Sequence, residues 1–172
     1  MSVGRRQRLD PFVPTPRDIV GRILDFAEID EGAVLVDLGS GDGRIVVEAA
    51  RRGSARAIGV EIDPALVEYS LETVRRLRLR TATFTNDDIR RVDLTGATHV
   101  TAYLTSKALR AIEPVLLKAR RDAIVVTHDY PILGWAPVET LTTWSSSDGR
   151  RHTLYKYVPM YSAPKLHQIL RV

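Results

Sequence analysis

Val36-Asp37-Leu38-Gly39-Ser40-Gly41-Asp42-Gly43-Arg44 is the stretch from which the rest of the chain can be read. The apolar run 33–38 has the composition of a strand buried on both faces, and residues 43–52 keep the periodicity of a helix. Glycine at every second position of the turn between them opens backbone conformations closed to other residues and lets backbone N–H groups approach a ligand. A strand passing through such a turn into a helix is the first unit of a wound α/β sheet. In these sheets ligands sit outside the carboxyl ends of the strands, where the strand order reverses.

Downstream the alternation continues. Residues 57–61 read as a second strand, and Asp63-Pro64 opens a helix whose Val67, Leu71, Val74 and Leu77 keep helical spacing down to the basic stretch 75–80. Residues 81–86, 99–104 and 123–128 read as strands three to five, and 107–121 as a helical pattern that Pro114 divides into two short helices. After strand five the pattern changes: 139–144 and 152–158 are two strands joined by Ser145-Ser146-Ser147-Asp148-Gly149, a hairpin rather than a crossover. Upstream, Thr15-Pro16-Arg17-Asp18 reads as a helix start with Thr15 as N-cap, and Ile19, Val20, Ile23, Leu24 and Ala27 form its apolar face. Residues 1–10, with Arg5, Arg6 and Arg8, read as a flexible basic arm, 11–158 as one domain, and 159–172 as a C-terminal tail. The expected fold is α/β: a Rossmann-like, seven-stranded, mostly parallel sheet ending in an antiparallel hairpin. That is the pattern of class I methyltransferases, whose last strand inserts antiparallel.

A chain of 172 residues with 44% hydrophobic and 27% charged residues is expected to bury a core without covalent staples. It contains no cysteine, which excludes disulfides, thiolate nucleophiles and Cys-ligated zinc or iron–sulfur clusters. Cytosine-C5 methylation, which needs a thiol nucleophile, is excluded with them. No metal site is expected. The absence of a long apolar run and the polar start of the chain predict no membrane partner and a cytoplasmic location. A net charge of +4 is too modest to favour nucleic acid strongly.

The glycine turn admits two kinds of nucleotide ligand. A dinucleotide site asks for G-x-G-x-x-G/A, and Arg44 stands where the last glycine or alanine belongs, so S-adenosylmethionine is the expected cofactor. Glu61 closes the second strand near the spacing of about 20 residues at which an acid meets ribose hydroxyls. Asp88 follows the third strand, where it can accept from an adenine amino group with Ile89 covering the ring; Asp87 is the alternative. Asp37 would face the positive amino group of the methionine portion, and Gly39, Ser40, Gly41 and Gly43 shape the turn. Taken singly, each acid also reads as strand-end solvation or a turn residue. Three acids closing three successive strands point to one site.

Phe12-Val13-Pro14-Thr15-Pro16, the turn from Asp37 to Arg44, and Gly59-Val60-Glu61 together resemble the archaeal protein-lysine methyltransferases. The related mitochondrial enzymes that methylate a lysine of an ATP synthase subunit share the outline. The likeness covers 11–158 and includes His128-Asp129-Tyr130 with Gly134-Trp135. It implies that Thr15 and its loop close over the methionine end of the cofactor, that Asp37, Gly39, Gly41, Glu61 and Asp88 bind the cofactor, and that Tyr103 faces the methyl-transfer channel. The family often carries Tyr where Phe12 stands.

The implied reaction is in-line transfer of methyl groups to the ε-amine of lysine in a protein partner, with alignment worth about 7 to 11 kcal/mol. An unperturbed lysine has a pKa near 10.4, so only about one in a thousand is neutral near pH 7.4, and the site must favour deprotonation. Tyr103, Tyr130 and Trp135 are expected to form the desolvating walls that lower the amine pKa. His128 reads as structural, and no obligatory general base is predicted.

Three other functions stay open at this level. The basic arm and the 75–80 cluster suit an RNA methyltransferase acting on ribose or ring nitrogen; exocyclic base amines are disfavoured, because Tyr103-Leu104-Thr105-Ser106 lacks the Pro-Pro-aromatic motif. A small-molecule methyltransferase would need a lid for which the chain has little spare length. A non-catalytic cofactor-binding module is the third.

Overall fold

In the computed structural model, which describes residues 7–54 and 56–164, the first apolar run forms β1 (Val34–Leu38), and four of its five residues are buried. The glycine turn leads into α2 (Arg44–Arg51), then β2 (Arg56–Glu61), α3 (Pro64–Leu77) and β3 (Ala82–Asn86). A single 3-10 turn (Ile89–Arg91) precedes β4 (His99–Ala102), α4 (Ser106–Leu116) and β5 (Ile124–His128). The hairpin is β6 (Glu139–Ser145) and β7 (Arg150–Tyr157).

The seven strands lie in the order β3-β2-β1-β4-β5-β7-β6. The first five pair in parallel, while β7 is antiparallel to both β5 and β6. Strand order therefore reverses between β1 and β4, and the crevice at their carboxyl ends is where this topology places a ligand. Each face of the sheet is covered by helices, which is why its central strands are continuous apolar runs. One core layer packs Ile19, Ile23 and Leu24 of α1 (Arg17–Phe26) with Val46 and Ala49 of α2 against Leu35 and Ala57. The other packs Leu109, Ile112 and Leu116 of α4 against Val100, Val125 and Tyr157.

Four expectations need correction. Pro114 does not divide its helix: α4 runs unbroken with Pro114 inside it. The proline sits in the last turn, where the missing N–H costs a single bond, and the burial of Ile112, Val115 and Leu116 outweighs it. Thr15 is not the cap of α1; Pro16 holds that position with no side-chain bond. Asp18 instead reaches the hairpin turn, where its carboxylate accepts from Ser145 Oγ at 2.8 Å and from the backbone N–H of Ser146 at 2.8 Å.

The basic arm ends earlier than expected. Leu9 packs on the core, Arg8 pairs with Asp63 at 2.8 Å, and the Asp10 carboxylate accepts from the N–H and hydroxyl of Thr105 at 2.7 and 2.8 Å. Arg5 and Arg6 lie outside the described residues. The start of the tail is also structured: α5 (Pro159–Ser162) is one helical turn, and Ala163 is buried in the core. Lys165 and His167 lie outside the described residues. Among the described residues, no helix is long and apolar enough to cross a membrane.

Candidate active site

The turn after β1 takes its shape from backbone conformations reserved for glycine. Gly43 caps α2 at φ 79°, and a β-carbon there would stand 2.5 Å from the Phe84 ring and 2.8 Å from Ser70 Oγ. At Gly41, φ is 56° and a β-carbon would stand 2.3 Å from the Phe12 ring. Two separate segments thus close onto the turn: β3 from beneath, and the N-terminal segment 7–15 from above.

Three carboxylates face this turn from successive strand ends. Glu61 is buried and fixed, because Oε2 accepts from the Gly41 N–H at 3.0 Å and Oε1 from the Asp63 N–H at 2.9 Å. Asp37 accepts from the Thr101 hydroxyl at 2.7 Å. Burial pushes its pKa up to about 7; the Thr101 bond works against that, and the charges of Glu61 and Asp42 add to it. Asp88 is held well below the usual carboxylate range by the Arg90 guanidinium, which bonds both of its oxygens. Its neighbour Asp87 instead turns its carboxylate to the Asp88 N–H at 2.7 Å.

These groups line one cleft of about 770 Å³, open mouth included. Thr15, Asp37, Gly39, Ser40, Gly41, Glu61, Asp88, Ile89 and Tyr103, all proposed from the sequence, are on its walls. Gly43 lies behind the turn as the cap of α2, outside the lining. Segment 7–15 forms the opposite wall, and Arg44 ties it down by donating to the Thr15 carbonyl while pairing with Asp42. The sequence reading missed this wall below residue 12, since Arg8, Leu9 and Asp10 have no periodicity and their partners lie 55 residues or more along the chain. Thr101 was missed too, although its place opposite Asp37 in the β1–β4 register follows from the strand pairing.

The aromatic walls divide. Tyr103 lines the cleft, its ring 4.0 Å from that of His128 and its hydroxyl 3.5 Å from Asp129 Oδ2. Tyr130 is 40% exposed and outside the cleft lining. Trp135 belongs to the core: it is 5% exposed, meets Tyr157 edge-on at 6.1 Å and donates from Nε1 to Glu113 at 3.0 Å. Its place as a channel wall is withdrawn, because an indole with its N–H satisfied by α4 faces away from the cleft lining.

Comparison with known proteins agrees with this geometry. Residues 37–139 match the family described as the ANTKMT methyltransferase domain. The chain is 34% identical over 152 residues to a protein-lysine N-methyltransferase of Saccharolobus islandicus, covering 86% of this chain and 92% of that one. It is 32% identical over 129 residues to a Homo sapiens lysine N-methyltransferase named for an ATP synthase subunit, covering 74% of this chain and 54% of that protein. The chain thus spans about half the length of this human relative. Among solved structures, an RNA methyltransferase from Salinibacter ruber in complex with S-adenosyl-L-homocysteine superposes with a TM-score of 0.81 at 36% identity, covering 89% of this chain and 97% of that one. A match across more than half of the sequence, with an archaeal relative one-third identical over most of it, establishes that the chain belongs to the ANTKMT methyltransferase domain family.

Proposed function

We propose that this S-adenosylmethionine-dependent methyltransferase transfers methyl groups to the ε-amine of lysine in proteins. The observation that carries the reading is the single cleft in which three strand-end acids, a left-handed glycine turn and Tyr103 meet. The residues present fit the cofactor. A buried carboxylate whose pKa has risen to about 7 needs a cationic partner, and the amino group of the methionine portion is one. Glu61 ends β2 with its carboxylate held in place, suited to accepting from ribose hydroxyls. Asp88 would accept from the adenine amino group, with buried Ile89 against the ring.

The cofactor supplies a methyl group made electrophilic by its bond to a positively charged sulfur. The chain's own task is to present a neutral amine in line with that group. Tyr103 and Leu104, on the wall that continues from β4, give the incoming lysine a partly dry approach, and desolvation favours the neutral amine over ammonium. Water at the open mouth takes the proton, so no side chain has to act as an obligatory base. A protruding lysine suits a cleft whose outer wall is a short strap rather than an added domain.

A second reading, RNA methylation, is favoured by the name of the Salinibacter ruber structure and by Arg75 and Arg76 in the last turn of α3. One experiment separates the two. Purified enzyme is incubated with labelled S-adenosylmethionine and either a native proteome or total RNA, and the modified sites are mapped by mass spectrometry. Methyl groups on protein lysines are expected; label confined to RNA would overturn the lysine reading.

A further inference from the structure

Beside the cleft, β5 and β7 bring together side chains that lie 24 residues apart in the chain. His128 closes β5, Asp129 follows it, and His152 lies on β7, where the antiparallel register sets Leu154 opposite His128. His152 Nδ1 lies 2.9 Å from His128 Nε2 and 2.9 Å from Asp129 Oδ2, and the last two atoms are 3.6 Å apart. Both histidines are 1% exposed.

The backbone is held in an uncommon conformation to keep this arrangement. Asp129 has φ 63°, a left-handed conformation that few non-glycine residues adopt. Its N–H donates to the Thr153 carbonyl at 2.7 Å, and its Oδ1 accepts from the Thr153 N–H at 2.9 Å. Oδ2 is thereby left facing the two histidines.

Both ring nitrogens of His152 face carboxylates, an arrangement that calls for positive charge at the cluster. His152 Nε2 faces the Asp148 carboxylate at 3.1 Å, so the hydrogen of a neutral ring belongs there. A neutral ring then turns a bare Nδ1 lone pair to a carboxylate oxygen at 2.9 Å; a second ring proton would supply positive charge there, and so would a metal cation held between these groups. A hydrogen on His128 Nε2 satisfies Nδ1 but leaves that contact repulsive.

We propose that the missing charge is a divalent transition-metal ion, Zn²⁺ by class, bound by His128 Nε2, His152 Nδ1 and Asp129 Oδ2. Two imidazoles and a carboxylate are a donor set that zinc accepts, and bonds of about 2.1 Å in a tetrahedron set donors about 3.4 Å apart; the 3.6 Å separation is near that value, and the two of 2.9 Å would open by about half an ångström to admit the ion. Asp148 behind His152 is the outer-shell carboxylate that fixes the tautomer of a metal-binding histidine. The ion would brace β5 to β7 behind the Tyr103 wall, whatever the methyl acceptor.

The full chain, stripped with a chelator, is titrated with Zn²⁺ by calorimetry, with Co²⁺ as an optical probe and ¹⁵N shifts of the histidine rings as a reporter. One equivalent is expected to bind, Co²⁺ is expected to give the intense visible bands of a four-coordinate site, and the ring nitrogens of His128 and His152 are expected to shift together. His152→Gln and Asp129→Asn should each weaken binding at least tenfold, and Asp148→Asn about 10- to 100-fold. Asp122→Asn, at an exposed carboxylate, should leave it unchanged. The absence of stoichiometric binding, equal binding by the ligand variants, or a doubly protonated His152 that persists in excess Zn²⁺ would overturn the proposal. The ring shifts are read on the unaltered chain, so the test survives a variant that does not fold.

Discussion

Asp37 carries a buried carboxylate whose pKa lies far above the usual carboxylate range. The folded chain keeps a proton that the unfolded chain releases, so stability falls as pH rises through the window from about 4 to about 7 and levels off above it. Binding a cationic amino group beside Asp37 expels the same proton. Affinity for S-adenosylmethionine is therefore expected to strengthen from about pH 6 to about 7.5 and then plateau. Calorimetry in buffers of differing ionisation enthalpy checks this, with proton release approaching one per ligand near pH 6. Asp37→Asn should weaken cofactor affinity about 10- to 100-fold, the scale of a hydrogen bond to a charged group, without lowering the melting temperature at about pH 8. Gly43→Ala meets both a left-handed φ and the Phe84 ring, so a loss of about 2 to 4 kcal/mol is expected in urea unfolding. Both positions were legible in the sequence, because a strand-end acid and a glycine turn are local signals. Trp135 was not, since no local pattern says whether an aromatic in a loop turns toward the cleft or toward α4.

Among the elements, the N-terminal strap and α4 are joined by one carboxylate. Asp10 takes both the N–H and the hydroxyl of Thr105, the cap residue of α4, while Phe12 rests on Gly41. Asp10→Ala is expected to cost about 1 kcal/mol of stability, as the loss of a capping contact does. It should also raise the cofactor dissociation rate several-fold in stopped-flow measurements, since the freed strap is one wall of the cleft. An unchanged dissociation rate would show that the strap closes without this latch. The helix starts at Asp63 and after Gly43 were readable because capping and left-handed turns are set within a few residues. Pro114 misled because burial of the α4 face, a tertiary term, exceeds the single hydrogen bond that the proline removes.

Across the whole molecule, the alternation of strands and helices, and the hairpin that ends it, gave the parallel sheet with its antiparallel edge. Burial separates the aromatics by place: Trp135 packs in the core, Tyr130 is exposed, and Tyr103 lines the cleft. Trp135→Phe removes the bond to Glu113 but keeps most of the packing, so a loss of about 1 kcal/mol is expected in denaturant unfolding, with kcat and KM for the methyl acceptor unchanged. A raised KM would return Trp135 to the substrate path. The sequence by itself determined the wound sheet, the turn between β1 and α2, and the acids that close the first three strands. Those features come from periodicity and backbone permission, which act over a few residues. Only the tertiary structure decided that segment 7–15 closes the cleft, that Trp135 is core, and that His128, Asp129 and His152 converge. Each depends on contacts between segments distant in the chain, and which of these form is fixed by packing the two layers against the sheet.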